Sequence, residues 1–182
     1  MRESKEIDLE LVRECQLGHE QAFDALWNKF SDAVWRLCLR MTGSSADAED
    51  LSQEVWVTVW QQIGAFRCQS AFQTWLYRVA SNVCLQWLRS ARRGCFVPAD
   101  PEIPDDGPSC EARAADREQL RRTLAALAEL PETLRLPLIL RVYEDLPYAQ
   151  ISEALDCSVA AVKMRIARAR AALVEALEGS DK

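Results

Sequence analysis

Four of the seven prolines in this 182-residue chain fall within eleven positions, between residues 98 and 108. Residues 94–118 around them carry seven acidic residues and two arginines. Because proline removes a backbone donor and like charges repel each other, such a stretch favours an extended linker over a packed element. The sequence therefore predicts two domains, residues 1–93 and 116–182, joined by a flexible acidic linker over residues 94–115.

Both predicted domains have helical periodicity. Apolar residues recur at the i, i+3, i+4 and i+7 spacing of a helix, as in the series from Phe23 to Cys38, and no segment convincingly alternates apolar and polar residues. With 49% hydrophobic residues, the chain can form packed cores. We expect an all-α protein of two small helical domains, with helices that include residues 70–93, 117–129, 132–143, 147–155 and 158–177.

Local signals mark several helix ends. Gly43 is expected to end the second helix and Ser44 to cap the third, with Asp47 at the position of a capping box. Pro131 occupies a position that suits the first turn of a helix. Pro137 lies inside the same predicted helix, where its missing N–H is expected to kink or loosen the backbone.

The distribution of charge indicates a polyanionic partner. The chain is acidic overall, with 22 Lys and Arg against 28 Asp and Glu, yet residues 55–99 contain five arginines and no acid. Residues 157–174 also lack acids. They contain Lys163, Arg165, Arg168 and Arg170. Two cationic segments in an acidic protein indicate two surfaces that attract nucleic acid.

The second cationic segment has the pattern of a helix-turn-helix. A short helix and a longer one are separated by Asp156 and Cys157, and Ser158 can cap the second. At about 100° per residue, small side chains share a face flanked by Lys163 and Arg168, which suits a major groove. An ordinary amphipathic helix with a solvated basic face is the simpler alternative. The expected core face holds Val159, Val162, Ile166, Ala169 and Leu173.

The first cationic segment interleaves aromatic, amide and arginine side chains. Residues 66–82 have the sequence FRCQSAFQTWLYRVASN. Aromatic faces can stack on unpaired bases, amides can read base edges and arginines can hold phosphates. The pattern predicts a surface for single-stranded DNA. A buried helix face is the alternative for Phe72, Trp75, Leu76 and Val79.

One side of the third helix combines acids and an amide, while its apolar residues lie on another side. The helix dipole alone accounts for Asp47 and in part for Asp50, but Glu54 lies too deep in the helix for that. Beside an exposed Val57, this stripe could dock a basic helix of a partner. The stripe consists of Asp47, Asp50, Gln53 and Glu54.

In this order, the three stretches resemble a bacterial extracytoplasmic-function (group IV) sigma factor of RNA polymerase, in the sigma-70 family. Conserved region 2.2 of that family resembles DAEDLSQEVWVTVW, and regions 2.3 and 2.4 resemble FRCQSAFQTWLYRVASNVCLQWLRSARR. Region 4.2 resembles LPYAQISEALDCSVAAVKMRIARARAAL. The resemblance covers nearly the whole chain.

The resemblance implies a sigma region 2 helical bundle and a sigma region 4 helix-turn-helix. The first domain would bind core RNA polymerase and capture unpaired bases of the −10 element, and the second would read the −35 duplex. The chain would thus initiate transcription at specific promoters under the control of an anti-sigma factor. It would not be an enzyme by itself, and no catalytic residue, metal or cofactor is predicted.

Residue by residue, the resemblance implies three sets of contacts and a supporting tryptophan. Trp75 would be a core anchor beneath the −10 loop. The implied contacts with polymerase are Asp47, Asp50, Gln53 and Glu54. Those with the −10 strand are Phe66, Arg67, Ser70, Ala71 and Asn82. Those with the −35 duplex are Lys163, Met164, Ala167 and Arg168.

The chain departs from the family pattern in both DNA-reading segments. Cys68 and Gln69 stand where the −10 loop often has Gly-Asp, so we expect a stiffer loop and leave its base preference open. Asp156 replaces the usual turn glycine, and aspartate is a second choice for left-handed backbone. The recognition helix lacks the usual Thr and Ser hydroxyls, so its −35 sequence cannot be taken from relatives.

Two other functions remain open on the sequence alone. A helix-turn-helix regulator would bind duplex DNA as a dimer, without polymerase. A metal- or thiol-sensing protein would use cysteines, and Cys15 and His19 have i, i+4 spacing on a predicted helix. Because two ligands do not make a metal site, we predict none there.

The sequence also bears on the compartment. No apolar run approaches the ~20 residues that a membrane helix needs, so no membrane insertion is expected. The N-terminal segment lacks the apolar core of a signal peptide. We therefore expect a cytoplasmic protein, in which the seven scattered cysteines are free thiols.

Overall fold

The computed structural model describes residues 2–93 and 122–179, with side chains over 7–90 and 122–178. These residues form helices and no strand, which confirms the all-α prediction. The predicted linker, residues 94–115, lies outside the described residues. The helices are α1 (Arg2–Gln16), α2 (Glu20–Thr42), α3 (Ser45–Gln62), α4 (Phe72–Arg93), α5 (122–129), α6 (Glu132–Val142), α7 (Tyr148–Ala154) and α8 (Val159–Gly179).

Helices α1 to α4 form one bundle around α2, which contacts the other three. Most of the apolar residues of α2 and α3 face inward. A 3-10 turn, Ile63–Ala65, leads from α3 towards α4. Each large apolar side chain that is fully buried contributes roughly 1.5–3 kcal/mol. The fully buried side chains of this bundle include Leu26, Leu37, Met41, Leu51, Phe72 and Leu76.

The predicted helix ends between α2 and α3 are confirmed. Gly43 has φ 76°, and its N–H bonds the carbonyl of Leu39, so it ends α2 in the left-handed conformation that glycine adopts without strain. The Ser44 hydroxyl accepts a hydrogen bond from the Asp47 N–H at 3.3 Å and caps α3. The two helices therefore turn back on each other through a two-residue connection.

Helices α5 to α8 form the second packed unit. Val162, Ile166 and Ala169 of α8 are buried, as the periodicity predicts, but Val159 is 38% exposed. The prediction for Val159 was wrong because this residue opens the first turn of α8, before the helix packs. Helix α6 runs through Pro137, and Pro131 is its N-cap residue.

The two units pack against each other, α2 on α6 and α4 on α7. The buried guanidinium of Arg135 donates to the carbonyl of Met41 in the last turn of α2, at 2.9 Å. It also donates to the carbonyls of Ala128 and Leu130, next to the end of α5. A cation stabilises the carboxyl end of a helix, where carbonyls lack helical partners. Arg135 therefore joins the last turns of two helices that belong to different units.

A second polar contact crosses the same boundary. The Tyr77 hydroxyl on α4 donates to a carboxylate oxygen of Glu144 at 2.5 Å. Burial, and then this hydrogen bond to Glu144, raise the pKa of Tyr77 far above its usual range. The guanidinium of Arg40 also lies 3.8 Å from the ring centroid of Tyr143. We call this packing of the two units the closed arrangement.

Replacing Tyr77 with Phe should weaken the closed arrangement by about 1–3 kcal/mol, because the Glu144 carboxylate then loses a donor in a partly buried place. The urea concentration at which the units separate should fall, as measured by small-angle scattering. Tyr148→Phe is the matched control, since Tyr148 belongs to the second unit alone. Equal midpoints for the two variants would show that the Tyr77 hydrogen bond does not hold the units together.

Candidate nucleic-acid and partner interfaces

Helix α3 separates a buried face from an exposed acidic one. Leu51, Val55 and Val59 are buried, while Asp50, Gln53 and Glu54 are exposed and Asp47 is half-buried. Val57 is 56% exposed beside them. The predicted stripe therefore exists as a continuous surface with a projecting apolar side chain. Its chemistry suits a basic, partly apolar helix.

A groove between α2 and α3 extends this surface. It is lined by apolar and acidic side chains, and Trp27 is 46% exposed at its edge. The sequence analysis missed these residues of α2, although the concentration of tryptophan in the first half of the chain was a signal for them. Exposed tryptophan next to polar residues is typical of protein interfaces. The groove-lining residues that the prediction missed are Trp27, Ser31, Asp32 and Trp35 on α2 and Glu49, Ser52 and Trp56 on α3.

Phe66 is buried inside an aromatic cluster at the start of the predicted −10 loop, which is the segment 66–71 between the 3-10 turn and α4. Its ring centroid lies 5.0 Å from that of Trp75, with 31° between the planes, and 6.3 Å from that of Phe72. With 7% of its surface exposed, Phe66 offers no face on which a base could stack. This corrects the prediction of a DNA contact for the Phe66 ring, since stacking on neighbouring rings has already buried it.

The other predicted loop residues are accessible. Arg67 is exposed, and Ser70 and Ala71 are half-buried. Cys68 takes the position expected of the family's glycine and has φ 55°, a left-handed conformation that costs a non-glycine residue energy. The loop then enters α4, where the carbonyl of Ala71 accepts hydrogen bonds from Thr74 and Trp75. The loop therefore runs from the aromatic cluster to the start of α4, with Arg67 and Gln69 exposed between its two fixed ends.

Asn82 lies apart from this loop, further along α4. At 1.5 Å per residue it is about 16 Å from Ala71, too far for both residues to reach one nucleotide. Asn82 is exposed and lines a shallow cavity between the two units. Arg89, Leu155 and Arg165 line the same cavity. In the closed arrangement, the second unit thus lies next to part of the predicted −10 surface.

Helices α7 and α8 form the predicted helix-turn-helix. Asp156 in the turn has φ 48°, which confirms the expectation that it substitutes for a left-handed glycine. The Ser158 hydroxyl accepts a hydrogen bond from the Ala161 N–H at 3.1 Å and caps α8. The N–H of Cys157 bonds the carbonyl of Ser152. These contacts fix the angle at which α8 leaves the turn.

The predicted DNA-reading face of α8 is accessible. Lys163, Met164, Ala167 and Arg168 are all exposed, and Met164 is 48% exposed. Arg165 lies on another side, half-buried, with a guanidinium nitrogen 3.7 Å from the sulfur of Cys157. A face of small side chains between cations can approach the floor of a major groove. The closed arrangement leaves this face free.

The cysteines of the described residues are mostly buried. The Cys15 side chain is buried inside the bundle, and burial raises the pKa of its thiol. His19 does not share its helix, because α1 ends at Gln16 and His19 is the N-cap residue of α2. The thiols of Cys38 and Cys84 lie 4.0 Å apart, and both this contact and burial raise the pKa of Cys84. A raised pKa lowers the thiolate fraction, and with it the nucleophilic reactivity, of Cys15 and Cys84.

Residues 2–93 and 122–179 contain no group of three His, Cys, Asp or Glu side chains placed to hold a metal ion. Within the same ranges, no helix is both long and apolar enough to cross a membrane.

Comparison with known proteins identifies both units. The family model described as Sigma-70 region 2 matches residues 26–94, and the one described as Sigma-70, region 4 matches residues 120–173. The RNA polymerase sigma-H factor of Pseudomonas aeruginosa is 34% identical over 187 residues, which cover 96% of each chain. The ECF RNA polymerase sigma-E factor of Haemophilus influenzae is 33% identical over 175 residues, with 90% of this chain and 91% of the relative covered.

The fold is also that of a solved structure. The structure of CnrH in complex with the cytosolic domain of CnrY is similar with a TM-score of 0.74 and 24% identity. The similarity covers 95% of this chain and 98% of that one.

The turn conformation of Asp156 yields a prediction for stability. Asp156→Ala should destabilise the second unit relative to Asp156→Gly by about 1 kcal/mol, because only glycine adopts left-handed backbone without a Cβ penalty. Urea unfolding followed by circular dichroism measures the difference. Both variants lose the same carboxylate, so the comparison isolates the backbone. An alanine variant as stable as the glycine variant would contradict the argument.

Proposed function

Because the chain belongs to the sigma-70 family, in its extracytoplasmic-function branch, we propose that it directs core RNA polymerase to specific promoters as an alternative sigma factor. The observation that carries this proposal is the exposed face of α8, which offers small side chains between Lys163 and Arg168 on a chain that also exposes an acidic docking face. The protein binds and positions, and polymerase performs the chemistry. We propose that it acts in the cytoplasm, with the polymerase.

We propose that α3 docks on polymerase. Asp47, Asp50, Gln53 and Glu54 form the acidic part of the contact, and exposed Val57 with the tryptophan-lined groove supplies apolar area. Charge complementarity sets the orientation and speed of association, while the buried aromatic centre contributes most of the affinity. A basic helix of the polymerase fits both requirements.

We propose that the first unit captures the opened −10 strand with Arg67, Ser70, Ala71 and Asn82. Arg67 is exposed and suits phosphate, and the hydroxyl and amide groups suit base edges. Phe66 acts indirectly, as part of the aromatic cluster beneath the loop. Capture of unpaired bases favours the opened duplex, so strand separation needs no nucleotide hydrolysis by this chain.

We propose that α8 reads the −35 duplex with Lys163, Met164, Ala167 and Arg168. The cations suit phosphates or guanine edges, and the small and apolar side chains suit thymine methyl groups. The turn at Asp156 and the cap at Ser158 hold α8 at a fixed angle to α7. The reading helix is therefore preorganised before it meets DNA.

Binding both promoter elements requires the closed arrangement to open. The names of the −35 and −10 elements give their positions in base pairs, so the two elements lie about 25 base pairs apart, or about 85 Å at 3.4 Å per pair. A compact globular chain of 182 residues has a diameter of about 40 Å. The proposed linker, residues 94–115, spans at most about 75 Å when extended. With the width of the domains added, this length suits a chain that reaches both elements at once.

We also propose an anti-sigma partner for this chain. The similar structure of CnrH contains the cytosolic domain of CnrY. A partner that stabilised the closed arrangement would prevent simultaneous contact with both promoter elements. Such a partner acts by binding one of two arrangements more tightly.

Run-off transcription with core polymerase over a promoter library tests the proposed function. We expect transcripts that start at a distinct set of promoters and depend on the added chain. No transcript from any promoter would overturn the proposal. Tight binding to a palindromic duplex by the chain alone, as a dimer, would instead favour a helix-turn-helix regulator.

Reversal of charge on α3 should weaken polymerase binding. Glu54→Lys places a cation opposite a basic surface, and we expect at least a tenfold loss of affinity for core polymerase. The measurement is a binding titration at fixed salt. Glu10→Lys on α1 is the matched reversal, and it should leave the affinity within about twofold. Equal losses for both variants would show a general effect of charge and contradict a specific α3 contact.

Removal of Lys163 should weaken −35 binding selectively. Lys163→Ala is expected to cost about 1–3 kcal/mol on the preferred duplex if the ammonium group reads a base, and less on altered duplexes. Arg170→Ala, which removes an exposed cation elsewhere on α8, is the control. It should weaken all duplexes alike. Fluorescence anisotropy with the polymerase-bound chain measures both, and identical base profiles would contradict base reading by Lys163.

A further inference from the structure

Helix α1 is tied firmly to the rest of the first bundle. Val12 and Cys15 are buried against it, and the largely buried carboxylate of Asp8 pairs with the ammonium group of Lys29 on α2. A buried carboxylate is tolerated where a cation compensates for its lost hydration. These contacts fix both the rotation of α1 about its axis and its position along α2.

The end of α1 is also fixed. The N–H of Gly18 bonds the carbonyl of Cys15, and the N–H of His19 bonds the carbonyl of Glu14. This pair of bonds is a Schellman motif, and Gly18 supplies the left-handed residue with φ 90°. Gln16 occupies the last helical position before this cap. Its backbone is therefore held by a closed end and does not fray.

The Gln16 side chain reaches across to the base of the −10 loop. Its amide nitrogen donates to the carbonyl of Ile63 at 2.9 Å and to the carbonyl of Phe66 at 2.8 Å. The two acceptors lie at the beginning of the 3-10 turn and immediately after its end. A single amide NH₂ group thus uses both of its hydrogens to hold the turn and the first peptide of the loop.

Apart from Cys68, which is half-buried and packs against the core, the loop is held at its two ends. Residues 67–70 make no hydrogen bond to another segment within the described parts of the chain. One end is set by Ala71 and the start of α4, and the other by the Phe66 ring and the Phe66 carbonyl. The ring restricts where Phe66 sits, whereas the bond from Gln16 sets the direction in which its peptide leaves.

We infer that Gln16 is a positioning residue for −10 recognition: it aims the loop that follows Phe66 without contacting DNA itself. This inference rests on the proposed function of the loop. It extends the DNA-reading machinery to α1, which carries none of the predicted contact residues. Loss of the amide donor should let residues 67–70 sample several directions and lower the fraction that can accept a base.

The test compares side chains at position 16 that donate hydrogen bonds with side chains that only accept them or do neither. It uses the full-length chain bound to core polymerase. Gln16→Glu keeps the size but presents a carboxylate to two carbonyls, Gln16→Ala removes the amide, and Gln16→Lys retains donors that can reach both. Promoter opening is followed with a fluorescent base analogue in the −10 strand. We expect about a tenfold loss for Ala, a larger loss for Glu, and near-normal opening for Lys.

Gln62 offers matched controls, because it is exposed and precedes the same turn without a side-chain cap. Gln62→Ala and Gln62→Glu make the same truncation and the same charge change, and should open promoters within about twofold of the unaltered chain. Affinities for core polymerase and for −35 duplex should be unchanged in all five variants. Base preference at −10 should relax only in Gln16→Ala and Gln16→Glu, which a simple loss of stability would not cause.

Hydrogen exchange of the free chain provides a second readout that needs neither polymerase nor a promoter. The amide of Phe66, whose N–H bonds the carbonyl of Ile63 in the 3-10 turn, should exchange faster in Gln16→Ala than in Gln62→Ala. Unchanged exchange, opening equal to that of the Gln62 variants, or parallel loss of polymerase and −35 binding would each overturn the inference. Absence of transcripts from the unaltered chain would instead overturn the proposed function, and the exchange result would still decide whether Gln16 orders the loop.

Discussion

The closed arrangement depends on the hydrogen bonds that the guanidinium of Arg135 donates. A buried cation is stable only when hydrogen bonds replace its hydration, and here the carbonyls of Met41, Ala128 and Leu130 supply them. Two of these acceptors belong to the second unit and one to the first. When the units part, Arg135 keeps its local partners and exchanges Met41 for water. The contact can therefore be remade without refolding either unit, as a reversible interface requires.

The same interface lies next to one of the two proposed DNA-reading surfaces and leaves the other exposed. The face of α8 proposed for the −35 duplex is exposed in the closed arrangement, so it is accessible without opening. Asn82 lies at the cavity between the units, and Arg78 on the same helix is 3.9 Å from Asp156. Part of the surface proposed for the −10 strand thus faces the second unit. On the proposed function, opening would uncover surface for the −10 strand, whereas the face proposed for the −35 duplex is already exposed.

The sequence predicted what depends on periodicity or on local geometry. The buried face of α8, the cap at Ser44 and the left-handed Asp156 were predicted, since each depends on residues within one turn of one another. Burial of Phe66 was missed because aromatic residues suit a base and a neighbouring ring equally well. The pairing of Tyr77 with Glu144 was also missed, since it joins residues 67 positions apart and no periodic pattern encodes such a contact.

The acid-free segments acquire a second meaning in the closed arrangement. Helix α4 lies wholly within the first of them, and two carboxylates of the second unit, Glu144 and Asp156, contact it. They contact Tyr77 and Arg78, in the turn before Asn82, which is proposed to meet the −10 strand. The pair between Arg78 and Asp156 is exposed and contributes little, so the Tyr77 hydrogen bond is the stronger of these two contacts. A chain that kept its own acids on α4 would repel DNA in every arrangement. Placing them on a separable unit confines that repulsion to the closed one.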